Sequence, residues 1–136
     1  MGIKVQLYSM EEVAGICLTA GLTPWESVTA VSIAWAESGG NAYAIGINDQ
    51  DPTAKAYLSM DVGMWQTNDY WHPEIASKTA LTPELQILEV MRISKRTGSW
   101  GYVYHVWTAW STYNAGLHKR FTQQAYWAVK AAGGIL

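Results

Sequence analysis

The chain is poor in several residue types, and each scarcity excludes a class of structure or function. The single cysteine among 136 residues, Cys17, cannot form a disulfide within the chain, and its apolar helical setting favours a buried thiol. Charged residues are sparse and the net charge is −2, so no basic field attracts nucleic acid or an anionic membrane. No apolar run approaches the ~20 residues of a membrane span. We therefore expect neither nucleic-acid binding nor membrane insertion.

The length and the first residues bear on domain organisation and on where the protein is made. We predict one domain over residues 1–136, which is long enough for a proper core. The first ten residues lack the long apolar core of a secretory signal, so we expect synthesis in a cytoplasm without an export route of its own. The small residues at 131–134 would also suit a cut linker to another domain.

Aromatic residues are plentiful but unevenly distributed among the three types, with eight Trp, eight Tyr and one Phe. Rings with a flat apolar face and a polar edge suit a sugar-binding groove, where the faces stack on pyranose rings. Core packing is the commoner use of aromatic side chains, so the composition favours a sugar site only mildly.

Local signals predict a mainly α chain. Ser9 with Glu12, and Thr23 with Glu26, form capping boxes that begin two helices. Helices are predicted over residues 9–20, 23–37, 83–96, 103–114 and 118–131. Turn residues interrupt the helical period over residues 38–62, where we expect an irregular segment with a small β-hairpin or bent strands.

Glu37 lies in the last turn of the second predicted helix, just before Gly39 and Gly40 end it. The negative end of the helix dipole disfavours another negative charge there, and an apolar helix tends to carry its last turn into a partly desolvated cleft. Both effects raise the pKa of a carboxyl group. A glutamic acid that stays protonated near neutral pH can serve as a general acid. The alternative is a solvated residue at a fraying helix end.

Three short segments carry further polar chemistry. They are residues 37–41 (Glu-Ser-Gly-Gly-Asn), 61–68 (Asp-Val-Gly-Met-Trp-Gln-Thr-Asn) and 109–116 (Ala-Trp-Ser-Thr-Tyr-Asn-Ala-Gly). In this order they resemble the lysozyme-like superfamily, in its lysozyme and lytic transglycosylase branches. That family has a catalytic Glu at a helix end followed by Ser-Gly, then a glycine-led Met/Trp-Gln-x-Asn segment, then Tyr-Asn-x-Gly. Each motif is short, and the specificity comes from the ordered triplet.

The resemblance implies a fold and a reaction. The fold would be a mainly α (α+β) lysozyme-like helical domain with a small β region beside the active-site cleft. The reaction would be cleavage of the β-1,4 bond between N-acetylmuramic acid and N-acetylglucosamine in peptidoglycan, with Glu37 as general acid. Asp61, two residues before Gly63, stands where animal-type lysozymes carry a second catalytic carboxylate, as nucleophile or as electrostatic stabiliser. The alternative for Asp61 is a turn or strand-end cap.

The same resemblance implies a set of substrate-binding residues: Ser38, Gln66, Asn68, Tyr113 and Asn114. Gln66 would lie near the catalytic carboxyl group, and Asn68 would contact an acetamido group of the substrate. The Tyr113 hydroxyl would orient the catalytic acid, and Asn114 would contact the glycan. The alternatives are structural roles, namely a strand-end polar pair, a core aromatic and a helix-end asparagine.

Other residues compete for these roles. Asp49 and Asp51 are alternative second carboxylates, although both suit turns. Trp65, Trp71 and Trp110 could offer stacking faces, although core packing is the commoner outcome for any one of them.

Two departures separate the chain from animal-type lysozymes. It lacks their disulfides, and its interval from Glu37 to Asp61 is longer, which affects the assignment of Asp61 more than that of Glu37. A disulfide-free domain without an export signal is similar to bacteriophage endolysin or virion-associated lysozyme domains. We therefore expect the protein to act on the bacterial wall after release from the host cell or as part of a virion.

No metal or cofactor is expected. His72, His105 and His118 lack metal-ligand spacing, there is no cysteine pair, and neither a phosphate-binding loop nor a nucleophile elbow is present. The expected partner is the peptidoglycan glycan strand, bound by a monomer.

The leading function is thus a peptidoglycan glycosidase. Its first rival is a lytic transglycosylase that forms 1,6-anhydromuramic acid ends. The second belongs to another class, a non-catalytic cell-wall-binding domain that keeps the groove, and an intact Glu37 argues against it. Asp61 favours hydrolysis, because a facing carboxylate supports the sugar cation until water attacks.

Overall fold

Two capped helices begin the fold. The computed structural model describes residues 5–48, 59–68 and 82–136. Helix α1 spans Met10–Ala20 and helix α2 spans Pro24–Ser38. The Ser9 hydroxyl accepts a hydrogen bond from the Glu12 backbone N–H at 3.1 Å, and the Glu12 carboxylate accepts one from the Ser9 N–H at 2.9 Å. The same reciprocal pair begins α2, so both predicted capping boxes are confirmed.

The later helices follow the prediction less closely. Helix α3 spans Pro83–Ser94, α4 spans Ser111–Asn114 and α5 spans Thr122–Ala131. A 3-10 turn over Leu117–Phe121 leads into α5, so most of the helix predicted at 118–131 is present. The helix predicted at 83–96 ends two residues early.

The helix predicted over residues 103–114 is wrong for most of its length. Strands β4 (Lys95–Thr97) and β5 (Val103–His105) form an antiparallel hairpin there, with a 3-10 turn at Ser99–Gly101 between them. The physical reason is that a β-branched and aromatic run flanked by glycine turns favours an extended chain. Only its last turn, α4, is helical.

The predicted small β region is confirmed. Strands β1 (Ile45–Asn48), β2 (Ser59–Val62) and β3 (Thr67–Asn68) form an antiparallel sheet in that order. Asp61 on β2 pairs with Asn68 on β3. The sheet therefore places two of the predicted site residues side by side.

Helix α2 is the centre of the core. It packs against α1, α5 and the 3-10 turn before α5. Its buried residues include Val31, Ile33 and Ala34, all fully inaccessible to solvent. Trp65 reaches this helix from the turn after β2, and its indole N–H donates to the Ala30 carbonyl at 2.8 Å. The architecture is mainly α with a small β region at the C-terminal end of the central helix.

None of the helices in the described part of the chain combines the length and the hydropathy that a membrane-spanning helix needs.

Candidate functional site

The C-terminal end of α2 presents Glu37 beside a sharp reversal of the chain. Gly39 adopts φ +63° and its N–H donates to the Trp35 carbonyl at 3.1 Å, which ends the helix. Gly40 follows with φ +85°, and a Cβ atom there would lie 2.7 Å from the Trp35 ring. Only glycine fits that position, so the reversal keeps Glu37 at the end of the helix.

A cleft of about 350 Å³ opens in front of Glu37. It is lined by the end of α2, the β2–β3 strands, the end of α3 and the segment leading into α4. The lining side chains are those of Glu37, Asp61, Gln66, Thr67, Asn68, Ile93, Ala109, Trp110 and Ser111. Sites of this kind, with an apolar wall and a few convergent polar groups, suit a small polymer substrate such as a sugar chain.

The surroundings of Glu37 perturb its ionisation. Burial at the back of the cleft raises the pKa of its carboxyl group, and the negative charge of Asp61 raises it further. A hydrogen bond from the Thr112 hydroxyl to Glu37 Oε1, 2.8 Å long, acts in the opposite direction because it stabilises the carboxylate. The net effect is a raised pKa, which favours the protonated form that a general acid needs.

Asp61 lies on another wall of the same cleft. The side-chain amide of Asn68 donates to Asp61 Oδ1 at 3.0 Å, across the β2–β3 pair. This bond orients one carboxylate oxygen of Asp61. The arrangement brings together two carboxyl groups, Glu37 and Asp61, from segments 24 residues apart in the chain.

The turn between β2 and β3 is held by a buried glutamine on α3 that sequence reasoning missed. Gln86 Oε1 accepts a hydrogen bond from the Met64 N–H, and its Nε2 donates to the Ala42 carbonyl, both at 2.9 Å. Gly63 has φ +84°, and a Cβ there would lie 2.7 Å from the Gln86 side chain. Gln86 thus joins three segments behind the cleft, and only the folded contacts reveal it.

Gln66 lines the cleft but holds the turn as well. Its side-chain amide donates to the carbonyl oxygens of Ala44 at 3.0 Å and Gly63 at 2.8 Å. Its backbone has φ +49°, an uncommon conformation for a residue other than glycine. Within the described residues Gln66 makes no hydrogen bond to Glu37, so its side chain stiffens the site wall beside the acid.

The Ser38 side chain faces the turn after β2, and its predicted contact with substrate stays a prediction. Its hydroxyl oxygen lies 2.7 Å from the Met64 carbonyl and 3.1 Å from the Ala34 carbonyl, and it is not among the residues that line the cleft. A serine one residue after the acid faces the adjacent turn, where the polar carbonyl of Met64 satisfies it. Its role is to join the end of α2 to the turn after β2.

Tyr113 and Asn114 have contacts within the fold, and their predicted contacts with the acid and the glycan stay predictions. The Tyr113 ring stacks on His118 with centroids 4.7 Å apart, and the Asn114 amide donates to the Thr108 carbonyl at 2.8 Å. Neither residue lines the cleft. Thr112, the residue before Tyr113, bonds Glu37, because the single turn of α4 directs that neighbour towards the acid. The motif identified the segment that reaches Glu37, and Thr112 is the side chain of that segment that bonds Glu37 in the structure.

The two predicted stacking tryptophans that the structure describes, Trp65 and Trp110, differ in their relation to the cleft. Trp65 is 1% exposed and lies in the core, and Trp110 is buried while contributing to the cleft wall. The Trp110 indole N–H donates to the Trp65 carbonyl at 2.8 Å, which fixes the two residues together. Trp71, Asp49, Asp51 and His72 lie outside the described residues.

The remaining histidines have structural partners. His105 Nδ1 lies 2.8 Å from the Ser94 hydroxyl, and His118 stacks on Tyr113. Among the residues that the structure describes, no group of three His, Cys, Asp or Glu side chains could hold a metal ion.

Comparison with known proteins places this geometry in a family. A family model described as "Lysozyme like domain" matches residues 14–112, which include Glu37, the β sheet and Thr112. A search of curated proteins and a search of solved structures each gave no significant match. The match covers well over half of the chain and contains all the residues that line the cleft. The chain therefore belongs to the lysozyme-like domain family, which implies a glycosidase or lytic transglycosylase that acts on peptidoglycan.

Proposed function

We propose that the protein cleaves the β-1,4 bond between N-acetylmuramic acid and N-acetylglucosamine, with Glu37 as the general acid. The observation that carries this proposal is the half-buried Glu37 at the end of α2, in a cleft that also contains Asp61. A glycosidic oxygen is a poor leaving group and must be protonated as the bond breaks. A carboxyl group with a raised pKa keeps the proton available for that step.

Asp61 supplies the second part of the chemistry in this proposal. Departure of the leaving group creates positive charge on the remaining sugar ring. A carboxylate on the facing wall stabilises that charge, either electrostatically or by forming a covalent adduct that water later hydrolyses. The hydrogen bond from Asn68 holds the Asp61 carboxylate in place. The position of Asp61 in the cleft is the feature that favours hydrolysis over transglycosylation.

The cleft walls suit the sugar rings on either side of the bond. The edge of Trp110 and the side chain of Ile93 provide apolar surface, while Thr67 and Ser111 provide hydroxyl groups. Mixed surfaces of this kind contact the apolar faces and the polar edges of pyranose rings.

Product analysis tests the reaction type. Purified peptidoglycan is digested with the protein and the soluble fragments are analysed by mass spectrometry. Hydrolysis gives reducing muramic acid ends, which is the expected result. A digest composed mainly of 1,6-anhydro products, lighter by one water, would establish a lytic transglycosylase and reduce Asp61 to a structural role. Absence of any soluble fragment would instead support the non-catalytic wall-binding alternative.

The setting of the activity is a separate proposal. We propose a phage-type enzyme that acts as a monomer on the bacterial wall after release from the host cell or within a virion. The support is the resemblance to endolysin and virion-associated domains. Size-exclusion chromatography with light scattering measures the oligomeric state, and a stable dimer would contradict that part.

A further inference from the structure

The β4–β5 hairpin projects from the rim of the cleft. Ile93, two residues before the hairpin, lines the cleft, and Ala109 lines it again after the chain returns. The hairpin has three residue pairs between Lys95–Thr97 and Val103–His105. At about 3.3 Å per strand residue, its strands are roughly 10 Å long. Any polymer that runs through the cleft therefore passes close to the base of this hairpin.

The hairpin exposes aromatic rings that do not pack into the core. Trp100 at its tip is 104% exposed, the full value for an isolated residue, and Tyr102 is 69% exposed. Trp100 also has φ +60°, a left-handed conformation that costs free energy for any residue other than glycine. The fold therefore leaves the Trp100 ring in solvent, where it is accessible to a ligand together with Tyr102.

The rings of Tyr102 and Tyr104 form a surface suited to sugars. Their centroids are 6.0 Å apart and their planes differ by 21°, so they present two nearly parallel rings along one side of β5. Gly98 lies beside the Tyr104 ring, and a Cβ atom there would be 3.5 Å from the nearest ring carbon. Because Gly98 has no side chain, it does not cover the Tyr104 ring. Aromatic rings with polar hydroxyl edges match the alternating faces and edges of a glycan.

The charge of the C-terminal part of the chain favours an anionic occupant. All eleven Asp and Glu residues lie within the first 89 positions, whereas residues 90–136 contain six Lys and Arg residues and no acidic residue. Lys95 and Arg96 are exposed at the base of the hairpin. Peptidoglycan strands carry peptides with free carboxylates on their muramic acid residues, so the basic C-terminal third of the chain complements them.

We propose that the hairpin over residues 95–105 is an auxiliary glycan-binding arm, in which Trp100, Tyr102 and Tyr104 stack on sugars of the peptidoglycan strand outside the cleft and Lys95 and Arg96 attract its carboxylates. This inference rests on the proposed peptidoglycan substrate. It assigns the arm to substrate affinity and leaves bond cleavage to the cleft.

Binding to purified, teichoic-acid-free sacculi tests the arm without digestion of the wall. All variants carry Glu37→Gln, and the fraction bound is measured over a range of sacculus concentrations. Trp100→Ala and Tyr102→Ala should each weaken binding about threefold to tenfold, the range for loss of one aromatic contact. Trp100→Phe should restore most of the affinity. Lys95→Gln should weaken binding and reduce its dependence on salt.

Two controls separate the arm from general effects. Trp127→Ala removes another tryptophan that is 57% exposed on α5, and it should change binding by less than about twofold. Trp100→Gly removes the ring at a position whose φ suits glycine, so it should lose affinity without a loss of thermal stability.

The outcomes distinguish the inference from the proposed function. In the catalytically intact chain, Trp100→Ala should raise the sacculus concentration needed for half-maximal lysis and leave the maximal rate unchanged. The inference that the hairpin binds glycan would be overturned if the Trp100→Ala, Tyr102→Ala and Trp127→Ala variants bound equally well. It would also be overturned if the Glu37→Gln parent did not bind. A parent that binds through the arm while the intact chain releases no fragments would overturn the enzymatic function alone.

Discussion

Replacement of Gln86 by methionine should destabilise the protein, because Gln86 satisfies two buried backbone groups behind the cleft. Its side chain is 5% exposed and bonds the Met64 N–H and the Ala42 carbonyl. Met64 and Ala42 are both fully buried, so water does not replace the lost partners. Methionine has a similar volume, so the substitution tests the hydrogen bonds with little cavity formation.

The size of the effect follows from those two groups. A buried donor or acceptor left without a partner costs about 1–3 kcal/mol, so Gln86→Met should lower the free energy of unfolding by about 2–6 kcal/mol. For a chain of this length, each kcal/mol lowers the melting temperature by roughly 3–5 °C. The variant should therefore melt at least about 6 °C below the parent.

Thermal and denaturant unfolding, followed by circular dichroism, measure this change. Gln123→Met is the matched control, since it makes the same substitution at an exposed position on α5, and it should stay within about 0.5 kcal/mol of the parent. If Gln86→Met has the same melting temperature and free energy of unfolding as this control, Gln86 does not hold the β2–β3 turn. The account of how the cleft wall is positioned would then be wrong.

Three further predictions concern the two carboxyl groups of the cleft. Thr112→Val should move the alkaline limit of lysis to higher pH, because it removes the hydrogen bond that lowers the Glu37 pKa; an unchanged limit in the pH–rate profile would contradict this. Asp61→Asn should abolish lysis, and any residual activity should have its alkaline limit at lower pH, because a charge that raises the Glu37 pKa is gone; full activity in a turbidity assay would exclude Asp61 from the chemistry. Because folding raises the Glu37 pKa, the folded chain binds more protons than the unfolded chain between the two pKa values, and the free energy of unfolding falls as pH rises through that interval. Above that pH interval, Glu37→Gln should therefore melt at a higher temperature than the parent, and below the interval it should show no such gain. The raised pKa would be contradicted if the variant and the parent melted at the same temperature both above and below the interval.

The features that could be predicted from the sequence are those set by residues close together in the chain, such as helix caps and helix ends. The capping boxes at Ser9 and Thr23 depend on residues three positions apart, and the helix end at Gly39 depends on a single backbone conformation. The position of Glu37 in the last turn of α2 followed from those signals. The hairpin at 95–105 was missed because its strands have three residues each, too short for the alternating pattern to outweigh a helical one.

The parts of the site that were not predicted depend on contacts between distant segments. Thr112 bonds Glu37 across 75 positions, and Gln86 bonds Ala42 across 44. Nothing in the immediate neighbourhood of either residue distinguishes it from an ordinary helical polar residue. The motif around Tyr113 brought the correct segment to the cleft, and only the folded backbone shows that the preceding side chain reaches the acid.

Lysis of purified peptidoglycan by the Glu37→Gln variant tests the central claim most directly. Glutamine is nearly isosteric with glutamic acid but has no acidic proton to donate. Glu11→Gln, an exposed substitution on α1, is the matched control for the change in charge. We predict that Glu37→Gln folds with the circular dichroism of the parent and releases no soluble fragments, while Glu11→Gln lyses the wall as the parent does. Lytic activity in folded Glu37→Gln equal to that of the parent would contradict the assignment of Glu37 as the general acid.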